Sequence, residues 1–318
     1  MISDGDKMIV ILNKTLYIFA ILLVNLYICS FINNKLISKI DLKRGYKGTR
    51  SGGFAYPFIS VLKYMSKGNG LSIWDMFIFL NIFVLWSVTP INSTLVIVDL
   101  DYSLLAAFVF FVILMMLKTI SSSYSSNGLL YTSLIKRATN ILSFILPIGI
   151  SLLSIVFLNK TLNLKNIVNF QYQYWNVVYQ PLGFIVCFFS IAIVFRLFVL
   201  TDKDAMVISQ SPCREGMGLS KLISQLSSYL SLFFLAVLVT IAYLGGWQDF
   251  RVINGNLMLA IKFYAIIIAV IVLSRSFSMI NDYRRIINFN YKFLIPMALI
   301  NFMVTLVFII LRNLYGLI

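Results

Sequence analysis

The chain has 318 residues, no histidine and a single glutamate, Glu215. Without imidazole, axial haem ligation by histidine and histidine-based zinc sites drop out. Its three cysteines, Cys29, Cys187 and Cys213, show no CxxC or other ligand spacing, so neither a metal site nor a disulfide framework is expected. Walker-type phosphate loops and a serine, histidine and aspartate set are also missing, so no catalytic residue and no autonomous catalysis are expected. Charge is scarce as well: 12% of residues are Asp, Glu, Lys or Arg, against about 25% in an average soluble chain. What the chain does have is apolar length. Hydrophobic residues make up 60% of it and fall in runs of about twenty, enough to cross a hydrocarbon core of roughly 30 Å. The expected fold class is all-α, a polytopic integral membrane protein forming one transmembrane domain over residues 1–318.

The runs predict eight transmembrane helices, near residues 8–32, 72–96, 101–122, 138–158, 180–201, 222–245, 257–280 and 291–312. The first is longer than the apolar core of a signal peptide and lacks a small-x-small cleavage pattern, so it reads as a retained helix. After it comes a basic segment ending in FAYPFISVLKYMSK, where Phe54, Phe58, Val61, Leu62 and Met65 recur at helical spacing. That pattern predicts a short interfacial amphipathic helix. No internal repeat is evident, which argues against a transporter built from inverted halves.

The formal charge of +15 would point to nucleic acid in a soluble chain, but here the bases lie between apolar runs and serve topology. Of 26 Lys and Arg, 19 fall in the loops after the odd-numbered spans. By the positive-inside rule those loops face the cytoplasm or mitochondrial matrix, and both termini face the intermembrane-space or periplasmic side. Asp75, Lys118 and Arg196 stand at span ends, where snorkelling to water is expected.

Three segments carry a family resemblance. Asn33 to Lys63, NNKLISKIDLKRGYKGTRSGGFAYPFISVLK, follows without gaps the pattern ERK…LRKGPN…G…LLQPxADxxK, with Lys35, Leu42, Lys43, Gly45, Gly53, Pro57 and Lys63 on matching positions. DLDYSLL from Asp99, then Ser125 to Asn127 and the pair Arg137 and Ala138, make the second match. YKFLIPMALIN from Tyr291 to Asn301 makes the third. The chain thus resembles the membrane subunit 1, or bacterial H subunit, of NADH:quinone oxidoreductase, respiratory complex I, as a divergent member. Reading back from Leu244 to Trp247, which resemble the family's LGGW, Arg196 and Glu215 match an arginine and the last glutamate of the family's acidic loop. Asp202 and Asp204 keep acids there after a one-place slide. Other family acids are absent: Asn33, Ser60, Ile145 and Ile193 occupy their positions, none of which titrates.

The resemblance implies a subunit that forms much of a quinone tunnel at the junction of the membrane and peripheral arms and contributes to coupling with proton translocation. Flavin and iron-sulfur clusters sit on partner subunits, no cofactor is held covalently, and quinone is the substrate. Phe54, Tyr56 and Phe58 are then candidates for apolar quinone contact. Lys35, Arg50 and Lys63 stand near the headgroup interface, and Arg196 and Arg275 line the inward side. Glu215, Asp202 and Asp204 are candidate gate or coupling acids. Arg284, Arg285 and Asp282 suit docking of the soluble arm. The plain alternative for each base is orientation and binding of anionic lipid; for Glu215 it is an ion pair with Arg214. Implied partners are the peripheral-arm quinone-module subunits, neighbouring membrane-arm subunits and lipid, in the mitochondrial inner or the bacterial cytoplasmic membrane. Two other functions fit less well: the related membrane subunit of an energy-converting hydrogenase, and a non-redox transporter or structural membrane protein.

Overall fold

The computed structural model describes residues 4–40, 42, 53–67, 71–123, 128–199, 218–249, 254–276 and 283–315. Regular structure among them is helical: α1 (Asp4–Ile40), α2 (Tyr56–Ser66), α3 (Ile73–Val88), α4 (Ser103–Ser123), α5 (Gly128–Asn159), α6 (Leu164–Phe170), α7 (Asn176–Tyr179), α8 (Pro181–Val199), α9 (Leu219–Tyr243), α10 (Gly255–Ser276), α11 (Tyr283–Phe289), a π-helical turn (Asn290–Leu294) and α12 (Ile295–Tyr315). Among the described residues, six helical stretches are long and apolar enough to cross a membrane: Met8–Ile40, Ser103–Ser121, Ala138–Asn159, Leu219–Tyr243, Gly255–Arg275 and Arg285–Leu314. Two more apolar helices, Ile73–Val88 and Pro181–Phe195, are shorter. The chain is therefore an all-α polytopic membrane protein.

Helix α9 is the centre of the bundle. Every residue from Ser231 to Tyr243 is buried, so this helix has no lipid-facing stripe, as expected of one that is apolar all round and enclosed by others. Helices α3, α8 and α10 pack around it, and α5 reaches it through α8. Trp86 of α3 and Phe263 of α10 flank Phe233 at ring-centroid distances of 4.8 Å and 4.5 Å, and Phe111 of α4 stacks on Phe234 at 5.4 Å. Helix α1 and the last helix lie at the periphery with long rows of exposed apolar side chains, among them Leu12, Leu16, Leu23, Val304 and Val307, the surface a bilayer or neighbouring subunit covers.

Proline and serine chemistry sets the ends. Helix α3 stops at Val88, short of the expected residue 96, because Thr89 precedes Pro90 and is held extended (φ −81°, ψ 122°). Its start is fixed by a capping box, Ser72 and Asp75 each accepting from the other's backbone N–H. Helix α1 continues eight residues beyond the expected end at residue 32, to Ile40. In α5, Pro147 sits inside the helix and cannot donate to the carbonyl four residues back, that of Ser143. Asn290, at the start of the π turn, supplies the missing donor: its Nδ2 lies 2.6 Å from that carbonyl.

Candidate functional site

Two polar ends bound the bundle, one carrying α2 and the other carrying α6 and α7. At the α2 end the chain turns at Gly53, whose φ of +89° lies in the left-handed region that glycine alone enters freely. Phe54 then packs edge-on against Tyr27 and Phe31 of α1, at ring-centroid distances of 5.1 Å and 5.6 Å. The Tyr27 hydroxyl donates to the Phe54 carbonyl, and the Lys35 ammonium lies 5.2 Å from the centre of the Phe31 ring, a cation–π contact. Helix α2 docks on α1 and α9. Its inward face is Pro57, Ser60, Val61 and Tyr64, spaced as one helical stripe; Ser60 Oγ donates to the Pro57 carbonyl at 2.7 Å, and Gln225 of α9 reaches the Tyr64 hydroxyl at 3.5 Å. Phe58, Ile59, Leu62 and Met65 are exposed on the other side.

Of the residues singled out in the sequence, Lys35 and Phe54 are brought together through Phe31. Tyr56, Phe58 and Lys63 lie on the exposed side of α2. Arg275 is half-buried in the last turn of α10. Arg50, Asp202, Asp204 and Glu215 lie outside the described residues, as do Arg214 and Asp282; Arg196 is placed by its backbone in α8, but its side chain lies outside the described set. Val61 belongs to the inward stripe, so the expected apolar stripe is divided between two faces.

Asp75 and Lys118 correct the expectation of snorkelling. Asp75 is 0% exposed and Lys118 8%, because helix-to-helix packing encloses both span ends. The Asp75 carboxylate accepts from Ser72 Oγ at 2.6 Å, from Ser72 N at 3.1 Å and from Ser121 Oγ of α4 at 3.2 Å. Lys118, one turn before Ser121, donates to Ser228 Oγ of α9 at 2.7 Å. The neighbouring Tyr229 hydroxyl accepts from the buried Asn33 at 3.3 Å. Sequence reasoning misses this polar group; the signal it carries is two charged residues inside the margins of apolar runs. The replaced acid positions differ in their surroundings: Asn33 is buried and hydrogen-bonded to Tyr229, whereas Ile145 and Ile193 are buried in the apolar core.

The opposite end is held by neutral amides. Gln171 donates to the carbonyls of Ile241 and Ala242, at 2.8 Å and 3.2 Å, and accepts from Gly245 N at 2.8 Å. Asn176 donates to the Ala242 carbonyl at 2.8 Å. The buried Lys262 donates to the Leu244 carbonyl at 2.6 Å and lies 4.4 Å from the centre of the Trp175 ring, a cation at the C-terminal end of α9 where the helix dipole favours it. Farther out, Asp99 pairs with Lys165 at 2.5 Å; the hydrogen bond from Lys165 holds the Asp99 carboxyl below its ordinary range. Among the described residues no group of three potential metal ligands occurs.

These features define a membrane-embedded helical subunit with a docked aromatic helix at one end and buried charge at both. The chain belongs to the NADH dehydrogenase family, whose model matches residues 13–306, and the family read from the three motifs is thus the one found. It is similar to the H subunit of NADH-quinone oxidoreductase from Geobacillus thermodenitrificans, 31% identical over 179 residues, which are 54% of this chain and 53% of that one. The H subunit of a second Geobacillus is 30% identical over 188 residues, 57% and 55% of the two chains. That of Bacillus cytotoxicus is 32% identical over 179 residues, 54% and 52%. The chain spans about half the length of the curated relatives it matches.

Proposed function

We propose that this chain is the membrane subunit of an NADH:quinone oxidoreductase and helps form the quinone site where its membrane and peripheral arms join. The family match across residues 13–306 carries this reading, and the relatives' names supply the reaction. Electrons come from flavin and iron-sulfur centres on partner subunits; this chain supplies binding surface and, through its buried charges, part of the proton coupling. Eight spans make up the domain, with α3 and α8 as the two short ones. The loops at the α2 end face the cytoplasm or matrix, and both termini face the other side. Either the bacterial cytoplasmic or the mitochondrial inner membrane satisfies this arrangement.

The residues suit a quinone in a definite way. An isoprenoid tail is matched by apolar surface, and the two quinone carbonyls are acceptors that gain negative charge on reduction, so they call for donors. Helix α2 offers Phe58, Ile59, Leu62 and Met65 on its exposed face, while Phe54 and its α1 partners fix that face against the bundle. Lys35 and Lys63 are exposed cations beside it. Because Phe58 projects outward, truncating it leaves the docking contacts of α2 in place. Tyr56→Leu and Phe58→Ala are therefore expected to raise the quinone KM several-fold and weaken quinone-site inhibitors, with NADH oxidation by a hydrophilic artificial acceptor unchanged. Unaltered quinone kinetics in both assembled variants would make α2 a membrane anchor and move the tunnel mouth elsewhere.

A further inference from the structure

We propose that the start of α1, from Met8 to Leu12, docks into an apolar cleft of a neighbouring membrane subunit at the end of the bundle opposite α2. That the neighbour belongs to the same quinone reductase rests on the functional reading above. The five side chains Met8, Ile9, Val10, Ile11 and Leu12 are each at least 48% exposed. Successive residues of a helix turn by about 100°, so these five present apolar surface on every side. A helix that is apolar all round belongs inside other structure, as α9 does in this bundle from Ser231 to Tyr243. The described bundle does not enclose Met8 to Leu12: the first buried side chain of α1 among the described residues is Ile18.

The apolar stretch of α1, Met8–Ile40, has 33 residues, about 50 Å at 1.5 Å per residue, against a hydrocarbon core of roughly 30 Å. Its neighbours fix where the excess lies. Helix α10 runs beside α1 in the same direction, and the Tyr264 hydroxyl donates to Asn25 Oδ1 at 2.5 Å. Gly255, where α10 begins, stands as far before Tyr264 as Leu16 stands before Asn25. Helix α3 runs the other way with Phe83 stacked on Phe19, ring centroids 6.1 Å apart, which sets its last residue, Val88, level with Lys14. Polar groups gather at that level: Asn13, Lys14 and Thr15 on α1, and Asn92, after α3, donating to Asn256 of α10 at 2.6 Å. Met8 to Leu12 lie beyond this polar band, so the acyl chains that cover Leu16 and Leu23 do not cover them. A second copy of the chain does not suffice either. Five side chains from each of two rods bury far less than the roughly 1,200 Å² of a small stable interface and leave the outer sides bare. A cleft between helices of another subunit covers every side.

The test uses the full chain in its native membranes, with photoreactive benzoylphenylalanine placed in turn at Ile9, Val10 and Leu12, which point to different sides of α1. The expected result is that one and the same membrane subunit is cross-linked from all three positions, and that this subunit co-purifies with the unaltered chain. The double variant Ile9→Asn, Leu12→Asn should then retain several-fold less of it on purification. Thermal unfolding of the double variant alone in detergent should match that of the unaltered chain, because the substituted side chains lie outside the bundle's own packing. Adducts with phospholipid only, with a second copy only, or with no protein at the three positions would overturn the docking. Full retention of the captured subunit by the double variant would overturn it too, as would a double variant whose own unfolding is lowered as much as its retention. If one subunit is captured and lost as expected but the preparation oxidises no NADH, the docking surface stands and the quinone-reductase reading fails.

Discussion

The side-chain amide of Asn290 donates to the backbone carbonyl of Ser143, the group that Pro147 leaves without its helical donor. The two helices are thereby joined at the point where one of them is broken. Replacing Asn290 with Leu exposes that carbonyl to an apolar interior, at a cost of about 1–2 kcal/mol, because Asn290 Oδ1 finds no partner among the described residues and its removal offsets part of the loss. In a Pro147→Ala background the backbone N–H of residue 147 serves the same carbonyl, so Asn290→Leu should cost less there. Thermal unfolding in detergent of the two single variants and the double variant measures the difference; equal costs in both backgrounds would show that Asn290 does not act through the proline break.

Gly183 makes a comparably tight joint between α8 and α12. Its N–H donates to Asn301 Oδ1 at 3.1 Å, and a Cβ added there would sit 2.7 Å from Asn301 Nδ2 and 3.0 Å from the Tyr243 hydroxyl. Gly183→Ala is expected to lower stability by about 1–3 kcal/mol, with part of the loss recovered by Asn301→Ala. A neutral Gly183→Ala would mean that α8 and α12 shift apart without penalty.

Much of this architecture can be read from the sequence, for reasons that particular residues make clear. Runs of apolar residues mark the helices because a membrane requires such lengths; Phe54 is picked out by its helical spacing with other apolar residues, and Lys35 by the family resemblance. Periodicity does not say which side of α2 faces the bundle, so it does not mark Pro57, Ser60 and Tyr64 as docking contacts. The burial of Lys118 is set by α3 and α9 closing over α4, which no local pattern encodes. The Asn290 partnership with Ser143 is equally non-local. The stop at Val88 is legible in Pro90, but the apolar side chains Ile91 and Val96 beyond it, both buried, extend the run and hide the break.

Acid should weaken the Asp99–Lys165 pairing at the α6 end. The Asp99 carboxyl titrates below its ordinary value because Lys165 hydrogen-bonds its charged form, so the pairing stabilises the fold above the unfolded-state value and is lost as pH falls through the folded one. Asp99 is more than half exposed, so the contribution is small. Asp99→Asn should reduce the acid dependence of thermal stability below about pH 4 and change little at neutral pH. An identical acid limb in the variant would assign that dependence to other carboxylates.

The central claim is that this chain works inside an NADH:quinone oxidoreductase. Affinity purification of the tagged chain from its native membranes, followed by subunit identification and an assay of NADH-dependent quinone reduction, tests it most directly. The account predicts that flavin- and iron-sulfur-bearing subunits co-purify and that the preparation reduces quinone with NADH in an inhibitor-sensitive way. Recovery of the chain with a nickel hydrogenase subunit, or alone and with substrate flux on reconstitution, would contradict it.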